Sequence, residues 1–395
     1  MDFQNVNPLN IRLNKLSGNL LPMTDRDSSF TLLWKLYGVF VTVTELLLTV
    51  VLIPGCIYVS RKKLMQDGLI CLATTGEMAF MIVRIHKCRD LVRQLIRRLN
   101  GIMYVADKNM RNIVTKTLKP TQVPLMFYTA AGMMSTITWC CLPFVLIFEK
   151  SVFWNEDYKM PAFFPKQPFS LKIFILNNLF IMLGCIYMIL KKIAADVYMI
   201  HLVLLMTAQY QYIAMRLTMI FHEQNEHGDT KKKRLSEINQ KQEREMMALC
   251  RHHNAVIHIM FLLKKLLASN FSLIYMINIL RFCFIGVMLS GIPSTTFWEA
   301  AAIFLYASGS VVQLYVMCSC VQKLLDASME ITDKAFHEGW YFCKPSIKWK
   351  FMLIIMANNL ECKIAKIENF NLSLPSFMKI LNQSYSIALV FLRFK

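Results

Sequence analysis

Glycine and proline are scarce in this chain, 13 and 12 among 395 residues. That excludes a collagen-like or low-complexity organisation and leaves little material for flexible linkers. Charged residues are also few, at 17%, against roughly a quarter in ordinary soluble domains. The twelve cysteines are scattered, and most (Cys71, Cys140, Cys141, Cys185, Cys283, Cys318, Cys320) fall inside apolar runs, so no disulfide framework is indicated. Cys318 and Cys320 stand too close together for a standard zinc pair. His252, His253 and His258 lack a neighbouring cysteine or carboxylate to complete a tetrahedral set. No cofactor or metal is expected. No nucleophile elbow, HExxH, P-loop or Gly-rich dinucleotide turn is present, so no enzyme activity is expected. The first 22 residues are polar and mixed, without a charged stretch leading into an apolar core, and predict no cleaved signal peptide.

What the chain does have is apolar length. It is 55% hydrophobic with a mean hydropathy of +0.41, which points to an all-α polytopic membrane protein. Its net charge of +19 would suggest nucleic acid in a soluble protein. Here the basic residues sit between apolar runs with no recognition motif around them, so no nucleic-acid partner is expected.

Seven membrane helices are expected from runs long enough for a core of about 30 Å: Leu32 to Val59, Gly68 to Val83, Val123 to Phe148, Leu171 to about Ile220, Asn254 to Leu289, Phe297 to Cys320 and Pro375 to Leu392. The fourth and fifth would reach about 75 and 54 Å at 1.5 Å per residue, too far for spans alone. Lys191, Lys192 and Asp196 interrupt the fourth, and Lys264 and Lys265 the fifth. Both helices are therefore expected to leave the membrane and join a helical bundle on one side, with the amphipathic stretches 321–341 and 347–364. Lys and Arg are concentrated in residues 84–119, in Lys231 to Arg234 and beyond, and between Lys323 and Lys350. The positive-inside rule then places the N-terminus in the cytoplasm and, after seven spans, the C-terminus outside.

The last run carries one polar stripe. Lys379, Gln383, Ser386, Val390 and Arg393 recur at helical spacing in a narrow sector, while the remainder is Phe, Ile, Leu, Tyr and Ala. In lipid such a seam must be hidden against protein or line a water path.

The block LDASMEITDKAFHEGWYFCKPSIKWKFMLIIMANN followed by LSLPSFMKILNQSYSIALVFLRFK resembles the insect odorant receptors, with Trp340, Met352 to Asn359, Phe377 and Ser384-Tyr385-Ser386 as matching features. The opening PLNIRLNKLSGNLLP is similar to receptors of ants, bees or wasps. Gustatory receptors usually end in Thr-Tyr…Gln-Phe, whereas Arg393-Phe394 stands here, which favours the odorant branch. The resemblance implies a subunit of a ligand-gated, non-selective cation channel that assembles with the odorant co-receptor (Orco) into a tetramer. The last helix of each subunit would line the pore, and each subunit would hold a pocket for a small volatile or hydrophobic ligand. The location implied is the plasma membrane of a sensory dendrite. It also implies an organisation of cytoplasmic segment 1–29, ligand-binding bundle 30–190, cytoplasmic extensions 191–265, spans 266–320, cytoplasmic anchor segment 321–373 and pore helix 374–395.

By that plan the pocket lies in the outer halves of the second, third, fourth and sixth spans. Ligand-contact candidates are Cys71, Thr74, Thr75, Met78, Thr136, Trp139, Cys140, Phe144, Asn178, Ile181, Met182, Cys185, Ile303, Phe304, Tyr306 and Ala307, with helix packing the alternative for each. Aromatics offer the largest contact area, and Asn178 could bond a hydroxyl or carbonyl. Lys379, Gln383, Ser386, Val390, Arg393 and Phe394 are the pore and gate candidates, Val390 and Phe394 as apolar side chains that close by dewetting. Arg393 either snorkels at the helix end or faces the pore. In the second case, a ring of four would repel cations, so this chain would be the minority subunit. Glu45 and Glu77 are acids inside spans and are expected either to pair with a neighbouring helix or to be held neutral by a raised pKa. The competing classes are a homotetrameric gustatory-type channel, a seven-helix metabotropic receptor with a cytoplasmic C-terminus, and a transporter. A transporter would need inverted repeats or broken helices, which the sequence lacks.

Overall fold

The computed structural model describes residues 2–24, 30–60, 64, 68–225, 232–292, 295–337, 340–365 and 372–393. Among them are eleven α-helices: α1 (Phe3–Val6), α2 (Pro8–Leu16), α3 (Leu32–Tyr58), α4 (Leu69–Lys87), α5 (Arg89–Tyr104), α6 (Lys108–Cys141), α7 (Leu171–Asn225), α8 (Lys232–Ser290), α9 (Phe297–His337), α10 (Pro345–Ala365) and α11 (Leu374–Arg393). A 3₁₀ turn over Leu142–Phe148 extends α6. Five of these helices, α3, α6, α7, α8 and α9, are long and apolar enough to cross a membrane. The shorter α4 and α11 run alongside them.

The first span, α3, shows how this works. Its buried positions Gly38, Val41, Thr44, Leu48, Leu52 and Gly55 recur every three or four residues, while Leu33, Phe40, Leu47 and Val50 point outward from the fold. A helix apolar all round, with one stripe against protein, is built for lipid on its other faces. At the centre, α6, α7 and α9 pack most extensively on one another. Small residues let their backbones approach. A Cβ added at Gly309 would stand 3.1 Å from the Ala131 methyl, and one at Gly132 would stand 3.2 Å from Ile193.

The long helices run past the membrane length, as expected: α7 is a single helix of 55 residues and α8 of 59. Their extensions gather α1, α2, α5 and α10 into a bundle. The basic stretch 84–119, which the sequence shows only as a connection between two apolar runs, is itself mostly helical. Within that stretch α5 buries Val92, Leu95, Ile96, Leu99 and Met103 on one face, each worth about 1.5–3 kcal/mol of burial, and α6 already begins at Lys108, where the Asp107 carboxylate accepts the Met110 N–H at 2.8 Å. Phe351 of α10 packs edge-on to Phe221 of α7 with ring centres 5.2 Å apart, and Lys350 reaches Glu243 of α8 at 2.9 Å.

At the other end the segment 149–170 folds on itself. Phe153, Tyr158, Ala162 and Phe169 are buried, Phe153 stacks on Phe174 of α7 at 4.1 Å, and Phe153 and Phe169 pair backbone to backbone. The Asn155 amide bonds the Phe164 carbonyl and N–H, each at 3.1 Å, and the Phe163 N–H donates to the Val51 carbonyl of α3 at 3.1 Å. This loop forms a small second core with the ends of α3 and α7.

Polar side chains are also buried between the helices. Lys191 donates to Glu45 at 2.5 Å and to Thr42 at 3.2 Å. Lys192 donates to Glu77 at 2.6 Å and lies 3.5 Å from Asp196. Asp196 accepts from the Tyr128 hydroxyl at 2.8 Å and from Gln313 at 3.0 Å. Arg281 bonds Gln313 at 2.6 Å, bonds Asn278, and stands 3.8 Å from Glu77. Both intramembrane acids are thus paired with a neighbouring helix, and Lys191, Lys192 and Asp196 are tucked inside the fold.

Candidate functional site

Between α4, α6, α7 and α9, closed at one end by the loop, lies a cavity of about 90 Å³. Thr74 comes from α4, Ser135, Thr136 and Trp139 from α6, Cys185, Met188 and Ile189 from α7, Met288 from the end of α8, Ala302, Ile303 and Tyr306 from α9, and Met160 from the loop. The lining is almost wholly apolar. The Ser135 and Thr136 hydroxyls both donate to the Gly132 carbonyl, at 3.0 and 2.9 Å, so their protons are engaged within α6. The Tyr306 hydroxyl is sealed from solvent and meets no hydrogen-bond partner among the described residues. An uncharged, apolar molecule of modest size fits this chemistry.

Of the sequence candidates, Thr74, Thr136, Trp139, Cys185, Ile303 and Tyr306 line the cavity. Several others lie off it. The Thr75 hydroxyl points to the Met188 sulfur at 3.1 Å. The Asn178 amide donates to the Cys140 carbonyl at 2.9 Å, so that polar group is used in packing. Cys140 and Ile181 are buried in the small core under the loop, and Met182 packs against it. Phe144 sits in the 3₁₀ turn. Phe304 is 59% exposed on the outward face of α9. Ala307 packs against the main core instead. The side chains of Cys71 and Met78 lie outside the described residues.

Cys140, Ile181 and Met182 lie off the cavity for one reason. The loop aromatics Phe153, Tyr158 and Phe169 fill the outer space beside Ile181 and Cys140, so the cavity sits deeper, earlier along α6 and later along α7. Ser135, Met188 and Ile189 take the places expected for Cys140, Asn178 and Ile181. Continuing the α7 stripe from Ile181 and Cys185 by one more turn would have found Met188 and Ile189. Met160 and Met288 come from a loop and a helix end, where no periodicity marks them.

The second candidate element is α11. Ile380, Ser384 and Ala388 are its buried stripe, packed mainly on α8, where a Cβ on Gly286 would come within 3.2 Å of the Ala388 methyl. On the opposite side Lys379, Gln383, Ser386, Val390 and Arg393 are all exposed in the single chain. The Tyr275 hydroxyl of α8 donates to Gln383 at 3.1 Å, so Gln383 marks the edge of that face. Phe394 lies outside the described residues.

Comparison with known proteins agrees with this architecture. The model of the 7tm odorant receptor family matches residues 64–385. Among curated proteins the chain is 25% identical over 194 residues to odorant receptor 67c of Drosophila melanogaster, which is 49% of this chain and 44% of that protein. It is 22% identical over 142 residues to odorant receptor 67a of the same fly, 36% of this chain and 34% of that one. The chain thus spans less than half the length of the curated relatives it matches. Among solved structures, the insect olfactory receptor OR5 of Machilis hrabei in complex with eugenol has the same fold, with a TM-score of 0.80 at 11% identity over 99% of this chain and 98% of that one. The structure of that receptor named without eugenol gives 0.79, again at 11% identity, over 98% and 97%. Fold and helix lengths define a multi-pass, all-α membrane protein. The chain belongs to the 7tm odorant receptor family of insects.

Proposed function

We propose that this chain is the odorant-binding subunit of a ligand-gated, non-selective cation channel. It assembles with the odorant co-receptor Orco into a tetramer, with α11 of each subunit lining a central pore. The observation that carries this reading is the split character of α11. One stripe is packed on α8, and the opposite face presents Lys379, Ser386 and Arg393 exposed in the single chain, with Gln383 at its edge bonded to Tyr275. A polar face on a membrane helix needs either a protein neighbour or a water path, and a pore shared between subunits supplies both. Val390, 54% exposed on the same face, is the side chain that closes the pore by dewetting. The cavity lined by Trp139, Cys185, Ile189 and Tyr306 receives the odorant.

The concentration of Lys and Arg on the bundle side supports a cytoplasmic N-terminus and bundle, an outer loop 149–170 and an outer end of α11. The bundle is then the anchor domain through which subunits meet, and the receptor sits in the plasma membrane of a sensory neuron dendrite.

Whole-cell currents under a broad odorant panel test this, with the chain expressed alone and with the co-receptor. Cation current within milliseconds, insensitive to G-protein block and present only with the partner, is the expected result. Current from the chain alone would replace the heteromer with a self-sufficient gustatory-type channel. A response abolished by G-protein block would replace the channel with a metabotropic receptor.

A further inference from the structure

The loop over the cavity is fastened to α9 by an ion pair between Lys159 and Glu299. The Lys159 side chain is 30% exposed and that of Glu299 16%, so the pair lies at the rim, half in water. The same ammonium stands 5.6 Å from the centre of the Trp139 ring, and Trp139 is a wall of the cavity. The next loop residue, Met160, also lines the cavity, as do Ala302 and Ile303, one helical turn after Glu299.

Each partner is held in place by its own element. Glu299 belongs to a capping box at the start of α9: its second oxygen accepts the Thr296 N–H at 3.3 Å, and its own N–H donates to the Thr296 hydroxyl at 3.4 Å. Lys159 follows Tyr158, which is buried in the loop's aromatic core and accepts at its hydroxyl from Asn177 of α7 at 3.1 Å. Asp157 is fixed by Lys150 at 2.6 Å. Two ordered bodies, loop and helix start, therefore meet beside the lining residues Met160, Ala302 and Ile303 through one charge pair next to the Trp139 ring. A partly exposed pair of this kind contributes little to global stability, about 1 kcal/mol or less. It is weak enough to break often and well placed to matter when it does.

We propose that Lys159 and Glu299 form a latch over the cavity, and that its opening sets how fast a small apolar molecule enters and leaves. Trp139 steadies the ammonium in the closed position through its ring face. The inference rests on reading the cavity as the odorant site, but its test needs no odorant. Cys185 lines the cavity and is 1% exposed, so its thiol reports access from outside.

The experiment is the rate of alkylation of Cys185 by N-ethylmaleimide, read by peptide mass spectrometry on the full chain in insect-cell membranes. The proteins are the native chain, Lys159→Gln, Glu299→Gln and the exchanged pair K159E/E299K. Each single variant is expected to label Cys185 about two- to five-fold faster, the range a partly exposed ion pair supports, and the exchanged pair, which restores the charge pair but not the Trp139 ring contact or the capping box, to label more slowly than either single variant. Cys250 of α8, in the distant bundle, is the internal reference and keeps its rate in all four. Equal Cys185 rates in all four proteins overturn the latch. So does an exchanged pair that labels as fast as the single variants while Cys250 holds steady. Neither result bears on the odorant currents that test the role of the cavity, so the two failures are distinguishable.

Discussion

Lys192 of α7 and Glu77 of α4 meet at 2.6 Å with both side chains withdrawn from solvent. Around them Asp196 approaches Lys192 to 3.5 Å and Arg281 approaches Glu77 to 3.8 Å, so two cations and two anions balance between α4, α7 and α8. Tyr128 of α6 and Gln313 of α9 close the ring through Asp196. An isolated charge in such surroundings costs several kcal/mol, whereas a paired set is tolerated. Sliding α4, α7 or α8 by a turn would strand a charge, so the ring fixes the mutual register of these three helices.

Glu77→Gln removes one anion and leaves Lys192 and Arg281 facing Asp196 alone. Breaking a buried pair in this way is expected to cost about 3–5 kcal/mol, seen as a lower melting temperature of the detergent-solubilised chain. Adding Lys192→Met restores the charge balance and is expected to recover part of the loss. A double variant that melts no higher than the single one would show that charge balance is not what these residues contribute.

The placement of the cavity predicts a contrast between two isoleucines about two turns apart on α7. Ile189 lines the cavity, while Ile181, 2% exposed, is packed under the loop aromatics. Ile189→Ala is expected to widen the cavity and shift the odorant panel toward longer or bulkier molecules. Ile181→Ala is expected to cost about 2–4 kcal/mol of stability and leave the order of preferred odorants unchanged. Dose–response curves over a homologous series of alcohols or esters decide between these, and a retuned Ile181→Ala would move the binding site outward, to where the sequence alone had put it.

How far the sequence could be read follows from the range of each signal. The over-long fourth and fifth helices were legible because apolar runs and interrupting lysines are local features, and α7 and α8 are indeed continuous helices. The split face of α11 was legible for the same reason, since the 3.6-residue period carries it. Basic residues masked α5: Val92, Leu95, Ile96, Leu99 and Met103 hold a helical stripe, but Arg89, Arg93, Arg97 and Arg98 interleave with it. The depth of the cavity was not legible, because it depends on Phe153, Tyr158 and Phe169 folding back from a loop with no period of its own. Glu45 and Glu77 stood out as intramembrane acids, yet their partners lie 146 and 115 residues away, and nothing in the chain between marks the pairing.

Three imidazoles in the bundle make its stability depend on pH. His252 and His253 lie on the extension of α8, and burial pushes both down to about 4 from the usual 6.5. Asp107 partly offsets this for His252, and His252 adds to it for His253. Burial pushes His201, against Phe3 and Asn7 on the extension of α7, down to about 3. The folded chain keeps these rings neutral at a pH where the unfolded chain has taken up protons. Their contribution is therefore complete above about pH 6.5 and drains away as the pH falls toward 4, by about 2 kcal/mol per imidazole at pH 5. Melting temperatures of the purified chain between pH 7.5 and 4.5 are expected to fall, and to fall less steeply in a His252→Phe/His253→Leu variant. Parallel curves for the two proteins would exclude the histidines as the cause.

Arg393 closes the exposed face of α11, in the last turn of the helix. A cation there gains a few tenths of a kcal/mol from the helix carbonyl end whatever it faces, so its presence alone does not assign it to a pore. Its number of copies does. Two unit charges about 8 Å apart at an effective permittivity near 20 repel by about 2 kcal/mol, and a ring of four would also repel every entering cation. One arginine among three neutral partners escapes both costs. Arg393→Gln is therefore expected to raise single-channel conductance strongly in any homomer this chain forms. In the heteromer with the co-receptor it should change conductance little, in keeping with a minority subunit. Raised salt is expected to narrow the difference between native and variant homomers, because mobile ions screen an exposed ring. Conductances that do not respond to the substitution in either assembly would turn Arg393 away from the pore and leave the stoichiometry argument without its residue.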